Sequence, residues 1–187
     1  MKLIDNNTEL LRDNLISAIH NDDKIAIAAS CFSMYAFKEL MEQLKGINEL
    51  RFIFTSSSFI KNENGKSAKK NTADGMYEDV LSGTAFETKL RHVLSQKAIA
   101  REFAAWIQQE HIHFRANTTN EPMTGFAVVS SNDKKNSTAY APLQGFTTVD
   151  LGCSEKKDAF NLIQEIEAPF SKHSLLSFHI CLLNIWH

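Results

Sequence analysis

The first third of the chain alternates between stretches of helical and of strand periodicity. A capping box at Asn6 and Glu9, followed by apolar residues at spacings of three and four, predicts a helix with a buried stripe. That stripe consists of Leu11, Leu15, Ala18 and Ile19. Apolar runs at residues 24–30 and 50–55 predict two buried strands, and residues 35–45 between them have helical spacing. A strand, a helix and a strand in this order predict a right-handed unit with parallel strands.

The densest run of helix-forming residues lies in the middle of the chain, between Gly83 and Ile107. Its pattern predicts two helices, and Ser95 is the expected cap of the second one. The predicted buried side of this second helix consists of Ile99, Phe103 and Ile107, with Ala100 and Ala104 beside them. Lys97 and Arg101 lie four residues apart on another side, where like charges repel unless an anion lies between them. A solvated face is the alternative interpretation.

The remainder of the sequence predicts loops and short strands. Residues 57–75 are polar and rich in Lys, Asn and Gly, which predicts a loop with a positive cluster. Shorter apolar runs predict strands at residues 111–116, 123–130, 138–142 and 146–151. Apolar residues at helical spacing predict a final helix through Ala159, Leu162, Ile163 and Ile166. The expected fold class is therefore α/β, a single domain with a mixed β-sheet flanked by helices, parallel at the front and antiparallel at the back.

Composition limits the classes of function. At 187 residues the chain suits one domain with a real core, and its net charge of −2 gives no global signal for nucleic acid. Three widely spaced cysteines argue against both a disulfide framework and a structural zinc site. The polar, charged N-terminus is unlike a signal peptide, and no apolar run approaches the roughly 18 residues of a membrane span. A cytoplasmic protein without membrane contact is expected.

Most familiar catalytic motifs are absent from the sequence. Gly65-Lys66-Ser67 resembles the end of a phosphate-binding loop, but Ile60 stands where that loop needs a glycine. His111 and His113 have no third metal ligand at strand spacing, so no metal site is expected. No GxSxG motif supports serine-hydrolase chemistry. Hydroxyls at the predicted strand ends, residues 30–33 and 56–58, lie where ligands bind in parallel sheets, although ordinary turn hydroxyls are the alternative.

Four features together resemble one protein family. They are the segment 4–15, the strand–helix–strand unit, the central segment 83–107 and the segment 140–152. The resemblance is to the N-terminal phospholipase-D-like domain of large bacterial superfamily-II helicases of the DEAD/DEAH and Swi/Snf type. It covers residues 1–168, and the runs QKAIARE and GFTTVDLG are its most specific parts.

The resemblance fades at the C-terminal segment, residues 169–187, where such proteins continue toward the helicase motor. This atypical tail is either a final core element or the product of a truncation or frameshift. The chain contains neither a phosphate-binding loop nor a DEAD/DEAH box, so helicase activity is not expected of this polypeptide alone.

The resemblance also implies where the chemistry would lie. Phospholipase-D enzymes use His-x-Lys-x4-Asp, in which the His attacks phosphorus and the Lys steadies the phosphate. None of the seven histidines here is followed by Lys two residues later. Thr124 and Phe126 stand where the His and the Lys are expected, and Thr147 and Thr148 lie in the corresponding downstream turn. The resemblance therefore implies a degenerate domain that needs no cofactor and has lost its covalent chemistry.

Three functional hypotheses follow. The first is a non-catalytic accessory module that contacts DNA, a helicase motor domain or subunit, or a second copy of itself as a homodimer. Its expected phosphate contacts are Lys89, Arg91, Lys97, Arg101, Thr124, Thr147 and Thr148, with the loop lysines Lys66, Lys69 and Lys70. The second is a nuclease or phosphodiesterase with a non-standard site, assembled at a homodimer interface, in which Glu87, His92 and Asp150 are the residues of interest. The third is a truncated relic that only contacts other proteins.

Overall fold

The structure is a computed structural model that describes residues 2–55, 96–117, 122–131, 137–154 and 162–167. Over these ranges the chain forms a mixed α/β fold with one seven-stranded sheet and four helices. The strands are β1 (Lys2–Ile4), β2 (Lys24–Ala29), β3 (Glu49–Phe54), β4 (Ile112–Ala116), β5 (Gly125–Ser130), β6 (Ser137–Leu143) and β7 (Ile163–Glu167). The helices are α1 (Leu11–Ala18), α2 (Met34–Glu39), α3 (Met41–Lys45) and α4 (Gln96–Ile107).

The strand order is β1-β7-β6-β5-β2-β3-β4. Strands β2, β3 and β4 are parallel, with Phe52 of β3 paired to Ile27 on one side and Phe114 on the other. The other four strands pair antiparallel, and β5 joins the two halves by pairing with β2. The prediction of a sheet that is parallel at the front and antiparallel at the back is confirmed.

The main core lies between the sheet and the helices. The predicted stripe of α1 is confirmed by the burial of Leu11 and Leu15, and α4 contributes Phe103 and Trp106. The indole N–H of Trp106 donates to the carbonyl of Leu44, 3.1 Å away, so this large ring is anchored as well as buried. A smaller cluster consists of Ala28, Phe126, Val128 and Ala139.

Two predicted elements near the C-terminal end are wrong. Residues 146–151 form a turn with local hydrogen bonds, and within them Phe146 makes only an isolated bridge to Phe32. The predicted final helix is strand β7 where the structure describes it, because Ile163 pairs with Ile4 of β1 and Ile166 with Ala139 of β6. Strand pairing on both sides satisfies the backbone hydrogen bonds of β7 as well as a helix would. The helical spacing of Ile163 and Ile166 therefore did not determine the secondary structure.

Smaller corrections concern the helices. Ala100 and Ala104 are exposed, and Trp106 is the second large buried residue of α4. Asn6 does not cap a helix with Glu9: it has a left-handed φ of 54°, and its side-chain oxygen accepts the N–H of Leu11 at 2.8 Å. The preceding turn is held by Asp5. Backbone N–H groups of Asn7 and Glu9 lower the pKa of the Asp5 carboxyl to about 2.

Several predictions lie outside the described residues. They are the loop at 57–75, the first central helix, the side chains of Lys89 and Arg91, and the tail at 169–187. None of the helices in the described ranges is long and apolar enough to cross a membrane.

Gly125 lies where β2 and β6, the two neighbours of β5 in the sheet, approach each other. It begins β5, and beyond it the extensions of β2 and β6 bond directly: the N–H of Ser30 donates to the carbonyl of Gln144 at 2.9 Å. A methyl group on Gly125 would overlap the carbonyl oxygen of Leu143 and lie 2.8 Å from that of Ala28. Both neighbours are backbone atoms, so they cannot turn away as a side chain can.

We therefore expect Gly125→Ala to lower the free energy of unfolding by about 1–3 kcal/mol, the usual cost of overpacking. Gly46→Ala is the matched control, because there the added methyl would overlap only the side-chain end of Asn21, the nearest backbone oxygen is at an ordinary contact distance of 3.7 Å, and the backbone φ is −92°. Its effect should stay within about 0.5 kcal/mol. Urea denaturation measures both variants, and equal losses would contradict the close approach at Gly125.

Candidate functional site

The candidate site is the edge of the sheet at which β2, β3 and β4 end, called here the carboxyl edge. Open sheets with parallel strands bind ligands at this edge. The residues that follow β2 are joined there to those that follow β6. The N–H of Phe146 donates to the carbonyl of Cys31 at 2.9 Å, and the N–H of Ser33 donates to the carbonyl of Phe146 at 3.0 Å. Many backbone groups at this edge are therefore hydrogen-bonded to other backbone groups.

Asp150 organises the turn that follows β6. One of its carboxylate oxygens accepts the hydroxyl of Thr147 at 2.6 Å and the N–H of Thr147 at 3.0 Å. The other accepts the N–H of Gly145 at 3.3 Å. In return the N–H of Asp150 donates to the hydroxyl oxygen of Thr147 at 3.4 Å. This reciprocal pairing of positions i and i+3 is a capping box, and it is buried.

The predicted phosphate-binding hydroxyls are distributed unevenly over the carboxyl edge. Thr147 and Thr148 are buried, and the hydroxyl of Thr147 is bonded to Asp150. Thr124 is exposed and immediately precedes β5. Ser33 is buried and caps α2 by accepting the N–H of Tyr35 at 3.1 Å. Of the described residues at this edge, Thr124 and Ser30 therefore present the exposed hydroxyls.

Phe126, which stands where the resemblance implies a lysine, also has a structural role. Phe126 is 3% exposed and packs with Ala28 and Val128 in the smaller core cluster. Asn117, which follows β4, is also buried, and its N–H donates to the carbonyl of Phe54 at 2.9 Å. These positions extend the sheet instead of lining an open pocket.

Helix α4 runs from the carboxyl edge toward the opposite edge. Phe103 stacks on Phe32, which lies just past the end of β2, with ring centroids 5.7 Å apart. One turn later Trp106 bonds to Leu44, which lies shortly before β3 begins. Lys97 and Arg101 precede Phe103 and therefore lie on the half of α4 nearer the carboxyl edge.

Arg101 is the predicted cation whose side chain the structure describes, and it is exposed. It forms no ion pair with any residue of the described ranges, whereas the next residue, Glu102, pairs with Lys45 at 3.6 Å. The backbone of Lys97 lies one turn before it, in the first turn of the helix. Lys89 and Arg91, like Glu87 and His92 of the nuclease hypothesis, fall outside the described residues.

The described histidines and cysteines give little support for a metal site or a reactive thiol. His111 precedes β4, and His113 lies within β4 opposite Arg51. In the part of the chain that the structure describes, no group of three potential ligands is placed to hold a metal ion. Cys153 is half-buried, and burial raises the pKa of its thiol to about 11, which keeps it protonated and unreactive near neutral pH.

Comparison with known proteins adds no assignment. No protein-family model matches the sequence, and a search of curated proteins found no significant match. The resemblance to phospholipase-D-like domains therefore stays a prediction.

The Thr147–Asp150 capping box had a sequence signature that the strand pattern concealed. A Thr or Ser followed three residues later by an acidic residue is the usual mark of such a box. The run Phe-Thr-Thr-Val-Asp-Leu carries that mark, but its β-branched and aromatic residues also predict a strand.

We expect Thr147→Val to lower the free energy of unfolding by about 1–2 kcal/mol, because it removes a cap and one donor to a buried carboxylate. Thr8→Val is the matched control: the Thr8 hydroxyl also donates to an aspartate three residues away, Asp5, but it is exposed. That change should cost less than about 0.5 kcal/mol. Thermal or urea unfolding compares the two, and a larger loss for Thr8→Val would contradict the structural role of Thr147.

Proposed function

We propose that the chain is a non-catalytic, phospholipase-D-like accessory module of a helicase- or restriction-type protein, and that it contacts DNA through the first half of α4. The observation that carries the proposal is the bonding of Thr147 to Asp150. A general base or a phosphate ligand must be able to reach its substrate. Here the carboxylate of Asp150 accepts three protein hydrogen bonds and is buried, so it acts as a structural group.

The position of Arg101 supports contact with a nucleic acid. An exposed guanidinium without an ion-pair partner in the described ranges is available to a phosphate, for which its planar fork of donors is well suited. Lys97 lies one turn earlier on the same helix, four residues away. A phosphate between the two would turn their mutual repulsion into attraction. The net charge of −2 leaves such binding to local groups.

A salt titration tests this proposal. A labelled short duplex should bind with an affinity that falls steeply as salt rises, because phosphate contacts release counterions. Arg101→Gln should weaken binding to all sequences alike and reduce the slope of log K against log salt by about 0.9, the contribution of one phosphate contact. Fluorescence anisotropy at several salt concentrations gives both quantities.

Lys24→Gln is the matched control, because it removes the same charge from the opposite edge of the sheet, where Lys24 begins β2 and pairs with Glu49 at 3.3 Å. Its affinity and salt slope should match those of the unmodified chain. No binding at low salt, or equal effects of the two variants, would rule out DNA contact through α4. Cleavage of the duplex that survives Asp150→Asn would leave DNA contact intact but overturn the non-catalytic assignment.

A further inference from the structure

We draw no further inference here: the strongest candidate, the apolar surface patch that the exposed Leu3 and Leu162 form on the face of the sheet turned away from the four described helices, carries nothing because nothing in the described structure shows what covers it.

Discussion

The ring of Phe32 is the contact on which the arrangement of the sheet and helices depends. It lies just past β2 and meets five other aromatic rings with centroids between 5.1 and 6.1 Å away. Those rings belong to β3, β4, α4 and the turn after β6: Phe52, Phe114, Phe103, Trp106 and Phe146. Each aromatic pair adds about 0.5–1.5 kcal/mol beyond simple burial, so this one residue joins the parallel half, the antiparallel half and the main helix.

The same arrangement explains why the described residues at the carboxyl edge offer few polar groups that are free to bind a ligand. Once Phe32 and Phe146 stack, the chains that carry them run side by side and bond to each other. The next polar residues then become structural: Ser33 caps α2, and Asp150 closes the turn that holds Phe146 in place. In the described part of the chain, packing therefore occupies much of an edge that binds ligands in other open sheets. Among the described residues discussed as phosphate contacts, Arg101 on α4 and the hydroxyls of Thr124 and Ser30 are exposed.

The local sequence pattern predicted the strands that are mostly buried and failed where the pairing partner is distant along the chain. Strands β2 and β3 each end in three consecutive buried residues, and both were predicted within a residue of their observed bounds. Strand β1 has three residues, and in the described sheet it pairs with β7, about 160 residues away along the chain. The ion pair of Lys2 with Glu165 could not be predicted for the same reason, since the two residues meet only after both strands join the sheet. The turn at Asp150 was missed because its composition satisfies two patterns at once.

The distribution of charge in the sheet keeps the acidic residues of β7 apart from helix α4. Glu165 and Glu167 lie on β7, whereas α4 packs through Phe103 and Phe32 beyond β2, which is three strands from β7 in the sheet. Three strand spacings are about 14 Å, and the Debye length at physiological ionic strength is about 8 Å. An anion on α4 therefore feels little repulsion from Glu165 and Glu167. A net charge close to zero conceals this separation, because it sums acidic and basic groups that lie in different parts of the chain.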